Sequence, residues 1–173
     1  MSSGLHDMRT PIDHQSHSST PFSDLQNAKI GVEATYYLKR MVEEAPAHEP
    51  LLAALGGAPI ALQQHIEEDL ERWKQNGMTP LFIFDGQSVV GKDRMGLRSA
   101  RTALAKTQNA WELYADNHPS DAVKTFGSSG AIQVEDLYPI LQEVLSERGL
   151  DFIVAPFSAC AQVFSLLHFS KSC

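Results

Sequence analysis

The sequence predicts an α/β fold in which helices flank a parallel sheet. Short apolar runs that suit strands alternate with longer segments of helical periodicity along the chain. Residues 81–84 are apolar at every position, which is typical of a strand covered on both faces. The segment before them carries Leu62, Ile66 and Leu70 at intervals of four, as an amphipathic helix does. The 173 residues, 43% of them hydrophobic, suit one domain with its own core.

The first predicted element follows a segment rich in Ser, Thr, Pro and His. Residues 1–26 have too few apolar side chains to offset the entropy of ordering them, so we expect a disordered tail. The three histidines of that tail match no metal-ligand spacing. We predict one domain over residues 27–170, opening with a strand over 29–35 that runs into a helix ending near Val42.

The remaining elements continue the alternation. A helix ends at Asn76-Gly77, and the apolar strand after it ends at Asp85-Gly86. Residues 97–117 are predicted to form a polar helix that projects from the body or covers it loosely, and residues 118–130 a loop. The last predicted elements are a helix, a third strand and a final helix, which carry residues 134–144, 152–154 and 159–169.

Composition limits the classes of function. The net charge of -7 and the isoelectric point near 5.4 exclude a generally cationic protein that coats nucleic acid, so any such contact must be local. Two cysteines cannot form a disulfide framework or a four-ligand zinc site, which predicts a reducing, intracellular compartment. No apolar run approaches the roughly 18 residues of a membrane span, so we expect a soluble protein.

Acidic side chains follow two of the three predicted strands. Glu33 lies at the end of the first strand and Asp85 at the end of the second, whereas residues 155–160 carry no carboxylate. Hydrolysis by two metal ions requires several carboxylates around the cations. Two acids are few for such a site. Glu33 alternatively suits a helix start, and Asp85 a turn before Gly86.

A cluster of cations is the second candidate site. It consists of Lys92, Arg94, Arg98, Arg101 and Lys106. Spacings of four and three place its three arginines on one helix face, where they could contact phosphates. An ordinary solvated helix face is the alternative.

Cys160 lies between two alanines on an apolar helix, without a histidine nearby in the sequence. We predict a buried structural thiol there and no nucleophile.

Three segments resemble successive motifs of the flap endonuclease and XPG group. They are Val-Glu-Ala-Thr at 32–35, Pro-Leu-Phe-Ile-Phe-Asp-Gly at 80–86 and Ala-Pro-Phe-Ser-Ala-Cys-Ala-Gln at 155–162. The resemblance implies a PIN-like α/β domain of the 5′–3′ exonuclease/XPG amino-terminal type, truncated on its carboxyl-terminal side. Active members carry Asp in the first motif, Asp before Gly in the second and two Glu in the third. The positions of those two Glu residues are Ser158 and Cys160 here, which implies a degenerate site with Glu33 and Asp85 as vestigial metal ligands.

A closer resemblance is to the fungal maintenance-of-killer-toxin regulators. It rests on Leu-Gly-Gly-Ala-Pro at 55–59, Glu-Glu-Asp-Leu at 67–70, Phe-Asp-Gly at 84–86 and Ala-Trp-Glu-Leu-Tyr at 110–114. This resemblance implies a cytoplasmic scaffold that regulates messenger RNA translation and stability. It also implies an ataxin-2-like partner that engages the poly(A)-binding protein, with RNA as a further partner.

Two other interpretations remain open. One is a magnesium-dependent, structure-specific nuclease in DNA repair, nuclear in location, which would use Glu33, Asp85 and the cation cluster. The other is an incomplete gene product without a stable fold, because a sheet that ends at its third strand leaves an open edge.

Overall fold

A computed structural model describes residues 27–44, 47–87 and 93–169, except for the side chains of residues 93–95 and 167–169. The predicted amino-terminal tail lies outside these residues. Three strands are described: β1 (Lys29–Glu33), β2 (Thr79–Phe84) and β3 (Phe152–Val154). The α-helices are α1 (Ala34–Glu43), α2 (Leu52–Leu55), α3 (Leu62–Gln75), α4 (Asp93–Ala115), α5 (Pro119–Gly127), α6 (Tyr138–Glu147) and α7 (Ala159–Phe169). A 3₁₀ turn, Val134–Leu137, precedes α6.

The strands form a parallel sheet in the order β1-β2-β3, so the predicted α/β class is confirmed. Glu33 pairs with Ile83 at one end of the β1-β2 ladder, and Phe84 pairs with Val154 at the same end of the β2-β3 ladder. Parallel strands place their carboxyl ends along one edge of the sheet. Glu33, at the end of β1, and Asp85, which follows β2, therefore lie at the edge of the sheet where the chain also leaves β3.

Side chains of β2 alternate between the two faces of the sheet, and both faces are covered. Phe82 and Phe84 point into a core shared with α1, α3 and α6, where Leu38, Ile66 and Leu141 are fully buried. Ile83 points to the opposite face, against Ala155, Ala159 and the partly buried Val163 of α7. The prediction of a strand buried on both faces is confirmed, because helices cover the sheet from both sides.

The long helix α4 lies largely outside this core. It packs with α5 around Ala110, Ala122 and Phe126, which form a small separate cluster. Leu97 and Leu104 are more than half exposed. The prediction of a polar helix here is confirmed, and its described helical residues begin four positions earlier than predicted, at Asp93.

Two predictions of local structure were wrong. Residues 118–130 were predicted as a loop but contain α5, which has Pro119 in its first turn and an acid, Asp121, near its start. Ala122 and Phe126, four residues apart, supply its buried face. The first strand also ends two residues earlier than predicted, because Glu33 caps α1.

Within the described segments, no helix combines the length and the apolar character that crossing a bilayer requires.

Candidate functional site at the carboxyl ends of the strands

Glu33 is the N-cap of α1. Its Oε1 accepts a hydrogen bond from the Thr35 amide at 3.0 Å, and its Oε2 accepts one from the Tyr36 amide at 2.7 Å. Amides in the first turn of a helix have no partner within the helix, and the positive end of the helix dipole favours a carboxylate there. The helix-start interpretation of Glu33 is thus the one the structure adopts, and both carboxylate oxygens are engaged by the chain.

Asp85 joins three elements at the end of β2. Its Oδ1 accepts a hydrogen bond from the Ala159 amide at 2.8 Å, at the first residue of α7. Its Oδ2 accepts one from the Thr35 hydroxyl of α1 at 2.9 Å. The carboxylate therefore caps the amino terminus of α7 from another strand, and it is more than the turn residue of the alternative interpretation.

Thr35 also lies 2.5 Å from the Tyr138 hydroxyl. The single hydroxyl proton of Thr35 is donated to Asp85, so Tyr138 donates to Thr35. Burial raises the pKa of Tyr138, and the Asp85 carboxylate adds to the rise, so the phenol keeps its proton. The Tyr138 ring is fixed edge-on against Phe84, with ring centroids 4.9 Å apart. The result is a directed hydrogen-bond relay from Tyr138 through Thr35 to Asp85.

The loops that leave β2 and β3 are fastened to each other. The Gly86 amide donates to the Phe157 carbonyl at 2.7 Å, and the Gln87 amide donates to the Pro156 carbonyl at 3.0 Å. A Cβ at Gly86 would overlap the Ala155 carbonyl oxygen, so only glycine allows this approach. The glycine after Asp85 thus holds the second and third motifs in register.

The third motif presents no carboxylate to Asp85. Ser158 is partly buried, and its carbonyl accepts the Gln162 amide at 3.1 Å in the first turn of α7. Cys160 is exposed, so the prediction of a buried thiol was wrong. The reason is helical geometry: α7 turns Ala159 and Val163, four residues apart, toward the sheet, and this directs Cys160, the residue after Ala159, away from it.

The described residues do not fit a two-metal centre. In that part of the chain no three His, Cys, Asp or Glu side chains converge at a distance suited to one ion. The four oxygens of Glu33 and Asp85 each accept one hydrogen bond from the protein, which leaves one lone pair on each oxygen. Two carboxylates in all are fewer than a pair of divalent cations requires.

The basic residues of α4 are separate from this hydrogen-bonded site. Arg98 and Arg101 are exposed to solvent, and the Lys106 ammonium donates to the Ser128 carbonyl at 3.0 Å. Lys92 and the Arg94 side chain lie outside the described residues. A cleft of about 420 Å³ separates α1 from α4, with Thr35 on one side and Gly96, Ser99 and Ala100 on the other. Neither Arg98 nor Arg101 lines it.

Thr35 and Tyr138 are the site residues that the sequence did not single out. Thr35 follows Glu33 by two positions in the sequence. That spacing could have indicated Thr35, because a residue in the first turn of a helix lies close to the N-cap. Tyr138 is 103 residues from Thr35, and no local pattern links them.

The fold is that of the XPG-type nuclease core, and the strand-end motifs resemble those of the flap endonuclease and XPG group. The catalytic core of Rad2 in complex with DNA substrate matches it with a TM-score of 0.50, covering 86% of this chain and 36% of that chain. The sequence identity is 18%, so this likeness establishes the fold alone. No family model matches the sequence.

In sequence, this XPG-like domain is similar to the MKT1 post-transcriptional regulators. The regulator of Cryptococcus neoformans var. grubii is 30% identical over 159 residues, which are 88% of this chain and 21% of the relative. That of Schizosaccharomyces pombe is 32% identical over 181 aligned residues, 93% of this chain and 22% of the relative. The chain therefore spans about a fifth of the length of these relatives.

Proposed function

We propose that this protein is a catalytically degenerate XPG-like domain that acts as a scaffold in post-transcriptional regulation of messenger RNA. The observation that carries the proposal is the use of both strand-end acids as helix caps. Glu33 holds the first turn of α1, and Asp85 holds the first turn of α7. Both carboxylates therefore stabilise the fold of the domain, and a stable fold is what a scaffold requires.

The alternative, a structure-specific nuclease, requires different chemistry at the same edge of the sheet. Phosphodiester hydrolysis on two metal ions needs carboxylates that are free to coordinate and to balance the charge of the reacting oxygens. Ser158 and Cys160 are poor ligands for Mg²⁺, which prefers carboxylate oxygen and water. The proposal is therefore a domain without a Mg²⁺ cofactor. The similarity to the MKT1 regulators over most of the chain also favours the scaffold over DNA repair.

The proposed protein partner is the one that the resemblance to the maintenance-of-killer-toxin regulators implies. We propose a cytoplasmic location and an ataxin-2-like partner that associates with the poly(A)-binding protein. We also propose RNA contacts through the basic segment of Lys92, Arg94, Arg98 and Arg101. The exposure of Arg98 and Arg101 supports this, since phosphate contacts need side chains that reach solvent.

Two measurements test the scaffold against the nuclease. In the first, the purified chain and its Asp85→Ala variant are titrated with Mg²⁺ and Mn²⁺ in a calorimeter, and flap DNA is offered as substrate. We expect no site-specific heat and no cleavage. Tight binding that is lost in Asp85→Ala, together with cleavage, would establish the nuclease.

In the second, the tagged chain is used to capture components from cytoplasmic extract. The scaffold predicts recovery of messenger ribonucleoprotein components, including the ataxin-2-like protein. Treatment with ribonuclease separates protein contacts from RNA contacts. Recovery of no such component would count against the proposal.

A further inference from the structure

The outer side of α4 carries three large apolar side chains at intervals of seven residues. Leu97, Leu104 and Trp111 are 55%, 59% and 50% exposed. Seven residues make almost two helical turns, so these side chains form one stripe about 21 Å long at 1.5 Å per residue. The helix meets the protein through Ala103 and Ala110, which are buried. We name Leu97, Leu104 and Trp111 the α4 stripe.

Trp111 is held in a fixed orientation within the stripe. Its ring lies edge-on to the buried Phe126 of α5, with centroids 5.1 Å apart, and edge-on to Tyr114 at 6.2 Å. These contacts fix one side of the indole while half of the side chain stays open to solvent. A large aromatic side chain that is already ordered loses little entropy on binding, and tryptophan is enriched among the residues that dominate protein interfaces.

The charge beside the α4 stripe is positive along Leu97 and Leu104, and the exposed Glu112 follows Trp111 at its other end. Residues 94–111 contain four basic residues and no acidic residue, in a chain with a net charge of -7. Arg101 lies four residues after Leu97 and three before Leu104, so it borders both. Arg98 and Arg101 are exposed, and neither pairs with an acid among the described side chains. This cationic border suits an acidic partner.

We propose that the α4 stripe binds an acidic amphipathic helix of another protein. Apolar side chains seven residues apart interdigitate with the apolar face of a second helix, and flanking charges select the partner and its orientation. Carboxylates beside the apolar face of the partner would pair with Arg98 and Arg101. RNA phosphates, proposed above as ligands of Arg98 and Arg101, would compete with those carboxylates. The stripe itself suits a helix better than single-stranded nucleic acid, because Leu97 and Leu104 offer no aromatic face on which bases stack. The inference rests on the proposed scaffold function and gives the chemistry of one of its partners.

A selection experiment tests the proposal. The full 173-residue chain is offered to a displayed library of random 20-residue peptides, and the affinities of the enriched peptides are measured by fluorescence anisotropy. We expect acidic peptides with apolar residues at spacings of three and four. Leu104→Glu and Arg101→Glu should each weaken binding at least about tenfold. Ile60→Glu is the matched control, because Ile60 is 92% exposed and lies outside α4. It should leave binding unchanged.

Several results would overturn the inference. They are the enrichment of no peptide, of peptides without acidic residues, or of peptides that bind Leu104→Glu as tightly as the parent chain. A single-stranded RNA probe whose binding Leu104→Glu abolishes would assign the stripe to nucleic acid. A dimer that dissociates in Leu104→Glu, measured by sedimentation, would assign it to a second copy. If Leu104→Glu binds no peptide but still captures ribonucleoprotein components, the proposed scaffold function stands and its partner surface lies outside the α4 stripe.

Discussion

The Thr35 hydroxyl donates a hydrogen bond to Asp85 Oδ2 at 2.9 Å, which joins the first turn of α1 to the end of the central strand. Asp85 at the same time caps α7, so one carboxylate connects helices on opposite faces of the sheet. The carboxylate at the end of the central strand is therefore a structural connection between the two helical layers.

Replacing Thr35 by valine removes that connection at nearly constant volume. Thr35→Val leaves Asp85 Oδ2 and the Tyr138 hydroxyl without their partner, so we expect a loss of about 1–3 kcal/mol in the free energy of unfolding. Urea denaturation measures it. Thr102→Val is the matched control, because the Thr102 hydroxyl is exposed and bonds only its own helix. It should change stability by less than about 0.5 kcal/mol. Equal effects in the two variants would contradict the relay.

Alkaline pH should destabilise the protein through its buried phenols. Burial raises the pKa of Tyr37 well above its ordinary value of 10.0, and the Asp69 carboxylate raises it further. Above pH 10 the unfolded chain therefore loses this proton while the folded protein keeps it, and the free energy of unfolding falls as pH rises. The stabilisation is fully present below pH 10.

The matched pair for this prediction is Tyr37→Phe and Tyr36→Phe. Tyr37 is buried and Tyr36 is 71% exposed, although they are neighbours on α1. In denaturation series from neutral pH to above pH 10, Tyr37→Phe should flatten the alkaline decline, and Tyr36→Phe should leave it as in the parent protein. An unchanged decline in Tyr37→Phe would show that the phenol does not cause it.

The same substitution should have opposite effects at two glycines. Gly86→Ala places a methyl group against the Ala155 and Pro156 carbonyls, so we expect a loss of about 3 kcal/mol or more. Gly96 lies inside α4 with open space around its Cβ position, so Gly96→Ala should stabilise by about 0.5–1 kcal/mol. Thermal unfolding of both variants checks the pair. A stable Gly86→Ala would mean that the strand-end loops are not fastened as described.

Restoring the acids of the third motif should create a cation site. In the double variant Ser158→Glu and Cys160→Glu, two carboxylates are added on either side of Ala159, the residue that Asp85 caps, one at the partly buried position 158 and one at the exposed position 160. Negative charge is favoured at this amino end of α7. We expect Mg²⁺ affinity to rise at least about tenfold, or about 1.4 kcal/mol, in calorimetry. The uncharged amides Ser158→Gln and Cys160→Gln, which match glutamate in size, form the control. Equal Mg²⁺ affinity in the parent chain would contradict the degenerate site.

The strand-end edge could be predicted because its signals are local. Apolar residues at 81–84 mark a buried strand, and Asp85-Gly86 marks its end, so the position of Asp85 follows from periodicity and the geometry of parallel sheets. Helix α5 was missed because its apolar positions are few and surrounded by polar residues, as in a loop. The exposure of Cys160 depends on which side of α7 faces the sheet. The alanines on both sides of Cys160 gave no indication of which side that is.

The sequence by itself determined the alternation of strands and helices, the two acids at strand ends, and the absence of carboxylates at Ser158 and Cys160. These features depend on residue type and short-range spacing. The tertiary structure alone decided what those acids contact. Thr35 and Asp85 meet because β1 and β2 align their carboxyl ends, and Tyr138 reaches them because α6 begins beside the same edge. The hydrogen bonds among them span 50 and 103 residues. Contacts over such separations are set by the packing of whole elements, which no local pattern encodes.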